Sequence, residues 1–114
     1  MKIDWMYFRN SWTSCRNARE VLDANHIQVA NRTDARKEKL EHVAVWNLLQ
    51  NAKKIRTAKG KKIEMWDPRE DSRELILKAA MGPSGNLRAP TVRIKDEFFI
   101  GFNPDLYAEI CKRM

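Results

Sequence analysis

The sequence predicts an α/β domain with a mixed central sheet of about four strands, and three observations support this prediction. The chain opens with a strand, a helix and a strand, which is the order of a parallel βαβ unit. It ends with two short strands and a helix, and helical segments fill the middle. The 114 residues, of which 43% are hydrophobic, suit one domain over 1–114 with its own core.

The opening βαβ unit is assigned from its apolar periodicity. Residues 2–8 are apolar and rich in aromatic side chains, as expected for a strand. Ser11 is the predicted N-cap of a helix that ends near Asn25, a residue type that tolerates the left-handed conformation. Residues 27–30 then alternate between apolar and polar, which is typical of a half-buried strand.

Two helices and a hairpin are expected in the middle of the chain. Residues 34–52 have the composition and period of a helix. Its predicted apolar stripe consists of Leu40, Val43, Ala44 and Leu48, widened by Trp46 and Leu49. Gly60 separates two short alternating runs within 53–66, which favours a small hairpin or an extra edge strand. A further helix is predicted over 67–81, with Pro68 in its first turn.

The end of the chain carries the clearest pattern. A loop over 82–86 leads to a strand over 90–94, and a tight turn leads to a second strand over 98–100, so an antiparallel hairpin is predicted. Asn103 is the expected N-cap of the last helix, with Pro104 at its first position. The residues expected to face the core from this helix are Leu106, Tyr107 and Ile110.

The chain is basic, with 22 Lys and Arg against 15 Asp and Glu and a net charge of +7. This charge makes nucleic acids, anionic ligands and acidic protein surfaces candidate partners. The segment Lys53–Lys62 contains six basic residues and no acidic one. A solvated edge is the ordinary interpretation of this run, and a phosphate-contacting patch is the sharper one. Support for nucleic-acid binding is weak, because no aromatic residue interrupts the run.

The sequence argues against several classes of protein. Cys15 and Cys111 are too few for the disulfide framework of a small secreted domain, and the two histidines are not spaced as zinc ligands. No metal site is therefore expected. No apolar stretch is long enough to span a membrane, and Asp4 interrupts the segment that would serve as a signal peptide. These features predict a cytoplasmic protein without membrane contact.

Three motifs occur in an order that is known from other proteins. Trp12-Thr13-Ser14-Cys15-Arg16 begins the first helix, Arg88-Ala89-Pro90-Thr91 leads into the hairpin, and Gly101-Phe102-Asn103 follows it. Together they resemble the thioredoxin fold and, within it, the glutaredoxin-like branch that includes arsenate reductases and the Spx regulators. Spx proteins carry Cys-Thr-Ser-Cys-Arg where this chain has Trp-Thr-Ser-Cys-Arg. The resemblance covers nearly the whole chain and implies that Pro90 follows a cis peptide bond facing the site.

The same resemblance implies that the redox motif is degenerate. In C-x-x-C proteins the first cysteine is the exposed nucleophile, and the second, inside the helix, resolves the mixed disulfide. Here Trp12 holds the first position, so Cys15 alone remains, as the fourth helical residue after Ser11. The arginine that arsenate reductases place directly before the cis-proline is replaced by Ala89, with Arg88 one residue earlier. Arsenate reduction is therefore not expected.

Two functions remain open at this point. The first is a thiol-based redox role in which Cys15 is catalytic and forms mixed disulfides with a partner protein or a small thiol. No bound cofactor is expected, and glutathione or a dithiol would serve as reductant. The second is a non-catalytic module that binds a protein or a nucleic acid, as Spx proteins bind RNA polymerase. The cleft residues implied for either function are Ser11, Trp12, Thr13, Ser14, Arg16, Arg88, Ala89, Pro90 and Thr91.

Each candidate also has a purely structural interpretation. Cys15 is equally well explained as a buried, inert residue, because free cysteines are among the most buried residue types. Trp12, at an exposed corner, is expected either to contact a partner or to pack against the loop of Pro90. Cys111 on the last helix is expected to be structural or a surface thiol.

Overall fold

A computed structural model of the protein describes residues 2–114. Its eight strands are β1 (Lys2–Ile3), β2 (Trp5–Phe8), β3 (Gln28–Val29), β4 (Arg32–Asp34), β5 (Lys54–Lys59), β6 (Lys62–Trp66), β7 (Thr91–Ile94) and β8 (Glu97–Ile100). Its four helices are α1 (Thr13–Ala24), α2 (His42–Leu49), α3 (Arg73–Ala80) and α4 (Pro104–Arg113). None of these helices is long and apolar enough to cross a membrane.

The main sheet has six strands in the order β4-β2-β7-β8-β5-β6. Strand β2 is parallel to β4 and β5 is parallel to β8, whereas the other neighbours are antiparallel. Strands β1 and β3 form a separate parallel pair. The predicted α/β class with a mixed sheet is confirmed. The expected count of about four strands is too low, because β5 and β6 join the sheet beyond β8.

Helices cover both faces of the sheet, and alternate strand residues supply two hydrophobic clusters. One cluster joins Phe98 and Ile100 of β8 to the buried sides of α2 and α3. The other joins Phe99 to the buried sides of α1 and α4. Leu106, Tyr107 and Ile110 are fully buried in the second cluster, as predicted. Each face of the sheet is therefore packed over most of its width.

The first predicted strand is broken at Asp4. Its Oδ2 accepts a hydrogen bond from the backbone N–H of Lys95 at 2.6 Å, and its carbonyl accepts one from the Asn31 side chain at 3.3 Å. The chain therefore forms β1 before Asp4 and β2 after it. The strand expected over 27–30 shortens to β3, which pairs with β1. Strand β4 was not predicted, because its polar sequence Arg-Thr-Asp shows no alternation.

Helix α1 begins one residue later than predicted. Trp12 is its N-cap, with φ −91° and ψ 135°, and its side chain makes no capping hydrogen bond. The prediction that Ser11 is the N-cap is therefore wrong, and Cys15 is the third helical residue instead of the fourth. The helix ends at Asn25 as predicted, but the left-handed residue is His26, with φ 56°.

The helix predicted over 34–52 shrinks to α2, because residues 35–41 form a loop. Tyr7 holds this loop: its hydroxyl donates to the Glu38 carbonyl at 2.8 Å and accepts from the Leu40 N–H at 3.2 Å. The predicted apolar stripe is only partly present. Leu49 is buried as predicted, but Val43 is 69% exposed. Val45, which was not assigned to the stripe, is buried as well. Only residues 42–49 of this segment are helical, so the helix presents fewer residues to the core than predicted.

The helix predicted from residue 67 begins six residues later as α3. Residues 67–71 form a turn in which the Asp67 N–H donates to Asp71 Oδ2 at 2.7 Å. The Ser72 side chain then caps α3 by accepting from the Leu75 N–H at 3.4 Å. The local turn provides hydrogen bonds for backbone groups of residues 67–71, so these residues do not form the first turn of a longer helix.

Both predicted hairpins are present. The turn between β5 and β6 contains Gly60, with φ 60°. Strand β5 lies inside the sheet between β8 and β6, so β6 is the edge strand. The last helix is capped as predicted: the Asn103 Oδ1 accepts from the N–H groups of Asp105 and Leu106 at 2.8 and 3.1 Å.

Candidate functional site

A cleft of about 470 Å³ opens beside the start of α1. The resemblance predicted nine cleft residues besides Cys15, and four of them line it: Trp12, Ser14, Arg88 and Ala89. The loop over 35–39 and the loop over 82–87 complete its walls. The loop over 35–39 was missed by sequence reasoning, because that segment was assigned to a helix.

The other five predicted residues do not line the cleft. Pro90 follows a cis peptide bond and is buried, and its carbonyl accepts from the Gly101 N–H at 2.8 Å. Thr91 is fully buried and donates through Oγ1 to the Arg88 carbonyl at 2.7 Å. Ser11, Thr13 and Arg16 are exposed. Thr91 therefore holds the backbone of Arg88, which lines the cleft.

Trp12 stands at the rim of the cleft with 40% of its surface exposed. The guanidinium carbon of Arg9 lies 5.1 Å from the centre of the Trp12 ring, which is a cation–π contact. Arg9 Nε is buried and has no hydrogen-bond partner among the described residues. The rim therefore combines an exposed indole with a cation whose donors are not all used.

Four cationic side chains line the cleft, namely Arg9, Arg36, Lys39 and Arg88. No carboxylate is found among the described residues that line it. Asp34, at the end of β4, is turned to the loop, where its Oδ1 accepts from the Arg36 N–H at 2.9 Å. The start of α1 adds backbone N–H groups that no side chain caps. The cleft is therefore a positively charged site.

Arg88 is a structural member of this group. Its guanidinium donates to the carbonyl oxygens of Ala58 at 2.6 Å and Ala79 at 3.2 Å, and so joins β5 to α3. Burial lowers the pKa of Arg88, although an arginine stays charged in a protein. Arg88 was predicted as a residue that approaches the site. It lines the cleft, but its donors are directed to the backbone.

Cys15 lies in the first turn of α1, and only 5% of its surface is exposed. The backbone N–H of Arg9 donates to its Sγ at 3.2 Å. Burial raises the pKa of the Cys15 thiol, and the Arg9 N–H and the charge of Arg19 oppose that shift only in part. Cys15 and Arg16 line a different cavity, of about 10 Å³, and neither is among the residues that line the cleft. Cys15 is thus separated from the cleft that contains Trp12.

The two cysteines form no disulfide, and no metal-binding group is found in the part of the chain that the structure describes. Cys15 and Cys111 are both free, and burial also raises the pKa of the half-buried Cys111. Residues 2–114 contain no group of three His, Cys, Asp or Glu that could hold a metal ion.

The basic segment Lys53–Lys62 does not form one surface. Lys53 and Lys54 lie at the start of β5, whereas the other lysines lie at its far end and in the turn to β6. Six residues of strand separate these groups by roughly 17–20 Å. Arg56, between them, is only 4% exposed and pairs at 2.7 Å with Glu97 and with Glu109. The exposed lysines of this segment therefore lie in two groups, and binding of a nucleic acid through them stays a prediction.

No protein-family model matches this chain, and no curated protein is significantly similar to it. The chemistry of the cleft therefore follows from its own residues.

Proposed function

We propose that the chain is a thioredoxin-like protein of the glutaredoxin branch, similar to the arsenate reductase and Spx family, whose cleft binds an anionic ligand. The strands β4, β2, β7 and β8 supply the mixed four-strand core that this family implies. Ala89, directly before Pro90, lines the same cleft as the start of α1, which also supports the assignment. The hairpin of β5 and β6 is then an addition to that core.

Binding is favoured over thiol exchange by the state of Cys15. The nucleophile in disulfide exchange is a thiolate that a substrate can reach. The position expected for the attacking sulfur holds Trp12, and Cys15 is buried with a raised pKa. An attack by Cys15 would require the start of α1 to open first.

The observation that carries the proposal is the charge of the cleft. Arg9, Arg36 and Lys39 line one cavity with an uncapped helix start and with no carboxylate among the described lining residues. Cations and free backbone N–H groups bind carboxylates and phosphates. The exposed face of Trp12 beside them would pack against an apolar part of the same ligand. An organic anion of small size therefore fits the cleft best.

A thiol role for Cys15 is the second candidate, and one observation favours it. The Arg9 N–H bond to Sγ stabilises a thiolate relative to a thiol with no donor. In that case Cys15 would form mixed disulfides with a partner protein or with glutathione. The two candidate functions have different requirements. Thiol exchange requires that the Cys15 sulfur is accessible, whereas anion binding requires a positively charged cleft.

Calorimetric titration with two probes, inorganic phosphate and oxidised glutathione, tests the proposal. We expect binding of at least one probe and a loss of affinity of about tenfold or more in the double variant Arg36→Ala/Lys39→Ala, because two charge contacts are removed. The matched control is Lys53→Ala/Lys54→Ala, which removes the same charge from exposed residues outside the cleft. Absence of binding, or an equal loss in both double variants, would contradict the proposal.

A further inference from the structure

The outer edge of β6 pairs with no other strand in the described chain. Strand β6 pairs with β5 in an antiparallel register in which Lys59 faces Lys62 and Ala58 faces Ile63 across a two-residue turn. In such a ladder the residue next to the turn directs its backbone groups inward and the following residue directs them outward. The N–H and C=O groups of Ile63 and Met65 therefore point away from the sheet.

Apolar side chains are exposed on both sides of this edge. Met65 is 62% exposed on one face of the sheet. On the other face, β6 and α3 enclose a groove of about 550 Å³ in which Leu75 is 54% exposed. Trp66 forms part of its floor and is fixed by a hydrogen bond from its Nε1 to Thr57 Oγ1 at 3.0 Å. Exposed apolar groups along a free strand edge are typical of a site where another strand is added.

The charge of the groove indicates which kind of partner strand would bind there. Lys59 and Lys78 line it, and Lys62 lies on the edge strand itself. Glu64 is the only carboxylate among its described lining residues. Arg88 also borders the groove, but its guanidinium already donates to Ala58 and Ala79. The edge therefore complements an acidic segment.

We propose that β6 binds an extended acidic segment of a partner protein as a seventh strand of the sheet. Its backbone forms hydrogen bonds with the outward groups of Ile63 and Met65. Its alternate side chains contact Leu75 and Trp66 on one face and Met65 on the other, and acidic side chains meet the lysines. This site is independent of the anion-binding cleft, with which it shares only a border at residues 82–83 and Arg88.

A second copy of this chain is a poorer occupant of the edge. If two β6 strands paired antiparallel through their outward groups about Glu64, the two Glu64 side chains would face each other directly, and like charges at facing positions are destabilising. Each copy also carries a net charge of +7. An acidic partner meets neither obstacle.

Amide hydrogen exchange with a defined probe tests the proposal. The probe is a capped octapeptide in which Glu and Val alternate. We expect it to bind and to protect the amides of Ile63 and Met65, whereas those of Lys62 and Glu64 are already protected by pairing with β5. A probe that is N-methylated on the amides facing β6 should bind about tenfold or more weakly, and methylation of the opposite amides should have little effect.

Two pairs of protein variants separate strand addition from general charge attraction. Met65→Pro removes an outward N–H that no described strand uses, and should weaken binding about as much as the methylated probe does. The N-methylated probes keep the test decisive on the unaltered protein even if this variant fails to fold. Lys78→Glu should weaken binding about two- to fivefold, whereas the same exchange at Lys112, on α4 away from the groove, should not.

Several outcomes would overturn the proposal. The first is no binding at peptide concentrations of about 1 mM, which is the limit for a weak specific contact. The second is binding in which both N-methylated probes have the same affinity as the unmethylated probe. The third is protection of Ile63 and Met65 without peptide, accompanied by a dimer in analytical ultracentrifugation, which would assign the edge to a second copy. Equal competition by an oligonucleotide of the same charge would likewise reduce the site to a general anion surface.

Discussion

The backbone N–H of Arg9 lies 3.2 Å from Sγ of Cys15 and donates to it. The same residue places its guanidinium over the ring of Trp12. Arg9 therefore contacts both residues, closing one side of the Cys15 thiol through its backbone and supporting the Trp12 indole through its side chain. This arrangement explains why Cys15 is sealed although it lies in the first turn of α1.

Cys15 should react slowly with alkylating reagents in the folded protein. In a Cys111→Ser variant, we expect labelling by iodoacetamide at pH 7 to be at least about tenfold slower than in the unfolded chain, because burial raises the pKa of the thiol and blocks access. The rate should rise only above the pH at which a free thiol ionises. Rapid labelling near neutral pH would contradict the burial of Cys15 and favour the redox candidate.

Gly101 should be the least replaceable glycine. Its φ is 90°, and an added Cβ would lie 2.6 Å from the Ala58 carbonyl oxygen and 2.8 Å from an Arg88 nitrogen. Gly101→Ala should therefore lower the free energy of unfolding by about 2–4 kcal/mol, measured by urea titration. Gly85→Ala is the matched control, because Gly85 also has a positive φ, of 81°, but open space around it. Equal losses in the two variants would contradict the predicted clash of the added Cβ with Ala58 and Arg88.

Glu97 should make the stability of the protein depend on acid pH. Hydrogen bonds from Arg113, with a smaller contribution from Arg56, lower the pKa of Glu97 to about 2. The stabilisation is complete above the pKa of an unfolded glutamate, about 4.3, and disappears as the pH falls through about 2. Urea titrations should show this loss between about pH 4.5 and pH 2.

The variant Glu97→Gln should reduce that dependence. It should also lower the free energy of unfolding at pH 7 by about 1–3 kcal/mol, because Arg56 is buried and keeps only Glu109 as its partner. Glu20→Gln on the exposed side of α1 is the control and should change neither quantity. An unchanged slope between pH 4.5 and pH 2 in Glu97→Gln would contradict the lowered pKa.

The elements with strong local signals were predictable from the sequence. The cap at Asn103, the turn at Gly60 and the last hairpin depend on residue types that adopt few conformations, and all three are present. The start of α3 was missed because a local turn, in which the Asp67 N–H donates to Asp71, precedes the helix. The start of α2 was not predictable, because a long-range contact determines it. A hydroxyl 31 residues away, that of Tyr7, holds the loop that the helical pattern of residues 34–52 concealed.

The residues of the candidate site were also predictable only in part. The motif resemblance named Trp12 and Ala89, which do line the cleft, and Cys15, which lies behind it. It did not include Arg36 and Lys39. These residues line the cleft because residues 35–41 form a loop, whereas the sequence predicted a helix there. The backbone contacts of Arg88 were equally hidden, since its acceptors are carbonyl groups of β5 and α3.

Turnover of a small disulfide by the unaltered protein and by Trp12→Cys tests the proposal that Trp12 occupies the place of an attacking cysteine. In the variant, a thiol replaces the indole at the N-cap of α1, three residues before Cys15. This spacing lets two cysteines form a disulfide, and the helix start favours the thiolate. With glutathione as reductant and hydroxyethyl disulfide as substrate, we predict background rates for the unaltered protein and clear turnover for Trp12→Cys. Comparable turnover by both proteins, or background rates in both, would contradict the proposal that this protein has a redox scaffold and lacks its attacking sulfur.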